Sequence, residues 1–129
     1  MNMLIGQRRK TVKKLAIKRG DVVLVDLEPA KGSEQSKVRP CVVIQNDIGN
    51  QYSPVTITAC ITSGERATFD TEVEIKSPEG GLKNNSIVLL NQIRTIDKSR
   101  IIDCWGTLHA DTMLLIDEAL EISLGLRTF

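Results

Sequence analysis

Residues 32 to 47 read GSEQSKVRPCVVIQND: a glycine-started polar loop, an arginine, a proline, and then the apolar run Cys41, Val42, Val43, Ile44, closed by Gln45, Asn46 and Asp47. A β-branched run bounded in this way predicts a central strand from Pro40 to Gln45. Proline is tolerated at a strand's first residue, where its missing N–H costs the ladder little. Arg39 is therefore fixed where a polar loop meets a rigid strand, a place where scaffolds present functional groups. Two roles are open to it: an ion pair with Glu34 that closes the strand end, or a cation offered to a ligand.

Outward from this stretch the same pattern recurs. Asp21 to Leu27 predicts a first strand, followed by a loop from Ala30 to Val38. Asn46 to Pro54 is rich in turn formers and reads as a loop with room for one helical turn. Strands are predicted at Val55 to Ile61, with Thr62 at the exit, at Thr71 to Ile75, and at Ile101 to Thr107. Ser86 to Leu90 and Ile93 to Ile96 read as one strand interrupted or continued around Asn91 and Gln92. Short strands with Gly and Pro turns indicate a small barrel rather than alternating helix and strand units. Only from Asp111 to Leu124 does the period change: Met113, Ile116, Leu120 and Leu124 recur at three and four residues. Gly125 stands at the C′ position, and Asp111 is the candidate N-cap. The fold class is thus mainly β (α+β), with a C-terminal α-helix.

A chain of 129 residues fits one domain and buries a core without a metal or disulfide staple. Seven basic and no acidic residues fall in the first nineteen positions, leaving 10 basic and 16 acidic in the remaining 110, a net of −6. A basic extension at 1–17, with Val12, Leu15 and Ala16 at helical spacing, thus precedes an acidic body at 18–129, an asymmetry that points the arm at a polyanion. Cys41, Cys60 and Cys104 are odd in number and lack CxxC spacing, which argues against zinc or a disulfide framework. Cys41 and Cys60 read as small buried hydrophobes. No stretch reaches the roughly 18 apolar residues of a membrane span, and no secretory h-region is visible, so the expected address is a reducing cytoplasm, away from membranes.

Five segments together carry a family resemblance: RGDVVLVDL at 19 to 27, GSEQSKVRPCVVIQND at 32 to 47, ITACITS at 57 to 63, LLNQIRTIDKSRI at 89 to 101 and DEALEISLGL at 117 to 126. In order and spacing they resemble the MazF/PemK toxins, ribosome-independent endoribonucleases restrained by a MazE-type antitoxin. The resemblance implies an SH3-like barrel of the CcdB/MazF type, a homodimer, no cofactor and no metal. It places catalysis on Arg39, the arginine of the RP pair, and on Thr62 after the third strand. Ser33, Gln35, Lys37, Asn46, Asn50, Tyr52, Gln92 and Arg94 are candidates for the RNA path, with Glu34 as base or loop support.

Residue chemistry alone leaves the function wider. His109 is the only histidine, which excludes a ribonuclease built on a histidine pair. With four aromatics, a base-stacking platform would be thin. Metal-free cleavage of single-stranded RNA needs a proton acceptor, a proton donor and a cation on the phosphoryl oxygens. Arg39 suits the last task, because its planar donor fork matches phosphate and keeps its charge. Thr62 is either a hydroxyl donor or a strand-end threonine chosen for β propensity. A gyrase poison of the CcdB kind and a non-catalytic RNA- or peptide-binding barrel remain as alternatives.

Overall fold

The computed structural model describes residues 16–27 and 38–127. Six strands form one antiparallel sheet: β1 (Asp21–Asp26), β2 (Val38–Val43), β3 (Val55–Ser63), β4 (Glu72–Ile75), β5 (Ser86–Asp97) and β6 (Ile101–Thr107), in the spatial order β4-β5-β3-β2-β1-β6. Helix α1 (Asp47–Tyr52) joins β2 to β3, and helix α2 (Ala110–Ser123) follows β6. The mainly β class with a C-terminal helix is the one the sequence predicts. Among the described residues no helix is long and apolar enough to cross a membrane.

Both faces of the central strands are covered, which is why β1 and β2 read as continuous apolar runs instead of alternating ones. One face holds Val22, Val42, Ala59, Ile61 and Val88, sealed by Ile116 and Ala119 of α2. The opposite face holds Val23, Val25, Cys41, Val43, Ile96 and Ile101. Ile17 joins this second cluster at 4% exposure, so the end of the expected N-terminal extension is part of the packed body. The helix anticipated around Val12 and Leu15 lies outside the described residues.

The hydrogen-bonded order is open, with β4 and β6 at its edges, where the sequence led us to expect a barrel. Those edges are joined by packing: the 3-10 turn Glu79–Gly81, which follows β4, lies against β6. Gly81 has φ +76°, and a Cβ there would stand 2.3 Å from the carbonyl oxygen of Trp105; a Cβ on Gly106 would meet the Gly80 carbonyl carbon at 2.8 Å. Only hydrogen atoms fit between these two backbones.

Three local features sharpen or correct the sequence reading. The segment after β2 is a capped helix: Asn46 accepts the Gly49 N–H at 2.7 Å, and Asn50 is buried at 1% exposure. Asn50 Nδ2 donates to Gln45 O (2.9 Å) and Asp47 Oδ1 (3.0 Å), while its Oδ1 accepts from Thr56 Oγ1 (2.7 Å) and Gln45 Nε2 (3.1 Å). The buried Lys98 ammonium donates to the Asn50 carbonyl. Second, β5 is continuous. Leu90, Asn91 and Gln92 form a bulge between the pairs Cys60↔Leu89 and Ala59↔Ile93, with Leu90 turned into the core and the two amides outward.

Third, α2 starts one residue before Asp111, with His109 at the N-cap and no cap bond from its side chain. Glu79 substitutes: its Oε2 accepts from His109 N at 2.9 Å and from the Thr112 hydroxyl at 2.7 Å, and Asp111 lies in the first turn, where the helix dipole favours an acid. The other end is as the sequence predicts. Gly125 (φ +74°) donates to Ile122 O and Leu126 N to Glu121 O, a Schellman closure.

Candidate nucleic-acid site

The register of β2 on β3 builds the site. Val43 pairs with Thr58, Val42 with Ala59 and Cys41 with Cys60. The ladder ends at Cys41↔Cys60; continued two residues beyond it, the same register would bring Arg39 opposite Thr62. Side chains alternate across a strand, so Arg39 and Cys41 share a face with Thr62, Cys60 and Thr58. From β5, Arg94 pairs with Thr58 and accepts its hydroxyl proton on the main-chain carbonyl at 3.2 Å, which brings a second guanidinium to that face. Arg39 and Arg94 are both exposed, and among the described residues neither enters a salt bridge.

Cys60 lies between these groups, half-buried. Its thiol is pushed down to about 6, first by the facing Cys41 thiol, against an opposing effect of burial, and then by the nearby charges of Arg39 and Arg94. Cys41 moves the other way, far upward, because the Cys60 sulfur faces it and because it is buried; its thiol donates to the Arg39 main-chain carbonyl at 3.9 Å. Cys41 is the small buried hydrophobe the sequence suggests; Cys60 is a polar member of the site that sequence reasoning missed. The available signal was the period of β3, in which Thr56, Thr58, Cys60 and Thr62 form one polar row.

Other candidates divide by position. Gln92 is exposed in the β5 bulge next to the Cys60↔Leu89 pair, on the Arg94 side of the site. Asn46, Asn50 and Tyr52 are at the opposite end of β3: Val55 and Thr62 are seven residues apart, roughly 20 Å of strand. Tyr52 is 76% exposed there. Asn46 spends its side-chain oxygen on the α1 cap, and the reading of Asn50 as an RNA contact is corrected, since its amide is buried and fully engaged inside the protein. Ser33, Glu34, Gln35 and Lys37 lie outside the described residues. Trp105 packs on the first core cluster, and the His109 side chain is 73% exposed.

Two guanidiniums that enter no salt bridge among the described residues, with a hydroxyl on the same face, supply the kind of donors a phosphate oxyanion takes, because arginine carries a fixed fork of donors and a permanent charge.

Comparison with known proteins identifies the family. Residues 18–124 match the family model described as PemK-like, MazF-like toxin of type II toxin-antitoxin system. The chain is 51% identical over 114 residues to "Endoribonuclease MazF" of Staphylococcus epidermidis, covering 88% of this chain and 95% of that protein. It is 50% identical over 116 residues to "Endoribonuclease EndoA" of Bacillus subtilis (strain 168), covering 89% and 100%. Among solved structures, a mycobacterial endoribonuclease in complex with its cognate antitoxin superposes with a TM-score of 0.73 at 25% identity, over 88% of this chain and 100% of that one. A MazE-MazF structure from Deinococcus radiodurans, at 23% identity, shares the fold with a TM-score of 0.72 over 87% and 98%. From Lys18 through α2, this chain belongs to the PemK-like, MazF-like family of toxins of type II toxin-antitoxin systems.

Proposed function

We propose that the protein is a sequence-specific endoribonuclease toxin that cleaves single-stranded RNA without a metal ion. The observation that carries the reading is the common face of Arg39, Thr62 and Arg94, in a chain about half identical to proteins named endoribonucleases. The ribose 2′-OH attacks the adjacent phosphorus, the bond to the 5′ oxygen breaks, and the products are a 2′,3′-cyclic phosphate and a 5′-OH. Arg39 holds the non-bridging oxygens as negative charge grows on them. With a pKa above about 12, a guanidinium acts here through its charge rather than as a base. Thr62 donates its hydroxyl to the same oxygens, Arg94 and Gln92 hold the strand, and Glu34 is the nearest carboxylate in sequence to accept the 2′ proton. Unpaired RNA is the substrate because A-form duplexes hide base edges from side chains.

The enzyme works as a cytoplasmic homodimer and is neutralised by a MazE-type antitoxin, a reading supported by the family and by the antitoxin-bound mycobacterial structure. A disordered acidic segment that folds on binding can cover a cationic site over a large area. Incubation of the protein with a long transcript in EDTA tests the activity: discrete fragments with 5′-OH ends are expected. An intact transcript, or cleavage only after a divalent ion is restored, would overturn the reading.

A further inference from the structure

Cys41 and Cys60 are both free thiols, directly opposite on neighbouring antiparallel strands. Ile44 N–H donates to Ile57 O at 2.8 Å, so the Ile44 and Ile57 positions form a hydrogen-bonded pair; counting along the alternation, Cys41 and Cys60 form a non-hydrogen-bonded one. In such a pair the Cα atoms stand about 4.5 Å apart with side chains on the same face, inside the roughly 4.4 to 6.8 Å a disulfide spans. Cys60 is reached by solvent, Cys41 is not, and two guanidiniums lie near Cys60. Cys104 offers an internal contrast: it is exposed, yet partial desolvation and then the neighbouring Asp21 charge push its thiol upward.

We propose that Cys60 and Cys41 are a peroxide-reactive dithiol, in which a hydroperoxide oxidises Cys60 and Cys41 resolves the product into a disulfide across β2 and β3. The Cys60 thiolate attacks the terminal peroxide oxygen. An S–O bond forms, the O–O bond breaks, and the leaving hydroxide or alkoxide takes up a proton, so sulfur loses two electrons and the peroxide gains them. The Cys41 sulfur then attacks the sulfenic sulfur; the S–S bond forms, the S–O bond breaks, and the Cys41 proton leaves with the hydroxyl as water. A low-pKa, accessible thiolate beside a resolving cysteine is the arrangement redox-sensitive sites use. Oxidation replaces a thiolate between Arg39 and Arg94 by a neutral sulfur, so the redox state of the pair sets the charge of the surface those two arginines share. This chemistry goes beyond the ribonuclease reading and does not depend on it.

The test uses the full chain, reduced and then exposed to limiting hydrogen peroxide at neutral pH. Non-reducing peptide mapping should find a Cys41–Cys60 cross-link that dithiothreitol reverses, with Cys104 still open to alkylation. Before oxidation, Cys60 should react with iodoacetamide on the order of tenfold faster than Cys104. Cys41→Ala should stop at a sulfenic acid on Cys60 that dimedone traps. Should that variant fail to fold, Cys104→Ser must still give the full cross-link. Oxidation of Cys104 ahead of Cys60, or a Cys60 that stays alkylatable after peroxide, would overturn the proposal. RNA cleavage by the reduced protein is scored separately, so loss of one reading leaves the other standing.

Discussion

Thr56 donates its hydroxyl to Asn50 Oδ1 at 2.7 Å in the interior, where the two side chains are shut off from solvent. The contact makes Asn50 the plug of the β2-to-β3 connection. Asn50→Ala strands the buried Thr56 hydroxyl and removes the donor to the Gln45 carbonyl, while the Gln45 amide keeps Val55 O, and should destabilise the protein by about 1–3 kcal/mol, as unsatisfied buried polar groups do. Urea unfolding measures it. Wild-type stability with weakened RNA binding would instead restore Asn50 to the RNA path.

Asp47 is held below the ordinary carboxylate range, chiefly by the Arg19 backbone N–H (2.6 Å) and then by Asn50 Nδ2. A depressed carboxylate stabilises the fold at any pH above its unfolded-state value, and that contribution drains away as pH falls through the folded-state value. Melting temperature should therefore drop on acidification by less in Asp47→Asn than in the wild type. Parallel acid limbs for the two proteins would rule the coupling out.

Arg39→Ala should abolish RNA cleavage and leave the melting temperature unchanged, since the side chain is exposed and unpaired among the described residues. For Thr62→Ala a smaller loss is expected, about 2 to 4 kcal/mol of transition-state stabilisation or roughly 30- to 1,000-fold in rate, because one neutral donor is worth less than a charged fork. Single-turnover cleavage assays order the two. A larger defect in Thr62→Ala at equal stability would reverse the assigned roles.

A chain beginning at Ile17 keeps the residue that packs in the second core cluster and removes Arg8, Arg9, Lys10, Lys13 and Lys14. If about three of these neutralise phosphates, the log–log salt slope of single-strand binding should fall by roughly 2. Cut sites and dimerisation should be unchanged, because phosphate contacts position a strand without reading it. Fluorescence titrations across a salt series decide the matter: identical slopes would remove the arm from the RNA contacts.

The strands were legible because β-branched runs and turn residues coincide with the elements, and α2 because its apolar period and Gly125 agree. The α1 helix was legible only as a turn-rich loop with room for one helical turn, because it is short and polar: its order comes from the Asn46 cap and from Asn50 side-chain bonds that reach three to six residues along the chain. Around Asn91 and Gln92 the sequence left both an interrupted and a continued strand open; the strand continues through a bulge there, and composition does not show it because three extra residues alter pairing and leave composition untouched. At the candidate site, Arg39 and Thr62 were singled out through motif resemblance rather than residue chemistry. Asn50 was misplaced because an asparagine that reads a base and one that holds a loop look alike in sequence. Cys60 was missed because its importance comes from a cross-strand partner nineteen positions away.

The seam between the Glu79–Gly81 turn and β6 has a consequence for how this sequence tolerates change. Hydrophobic residues can exchange for one another across a core when volume is conserved, but nothing can be exchanged where one backbone lies on another. Drift in the apolar layers is thus decoupled from the step that draws the sheet's edges together. In a library of random substitutions, positions such as Ile61 and Val88 should accept several apolar residues, while Gly81 and Gly106 should return almost only glycine among folded survivors. The mutational reach of the fold is set at a handful of α-carbons rather than in its oil.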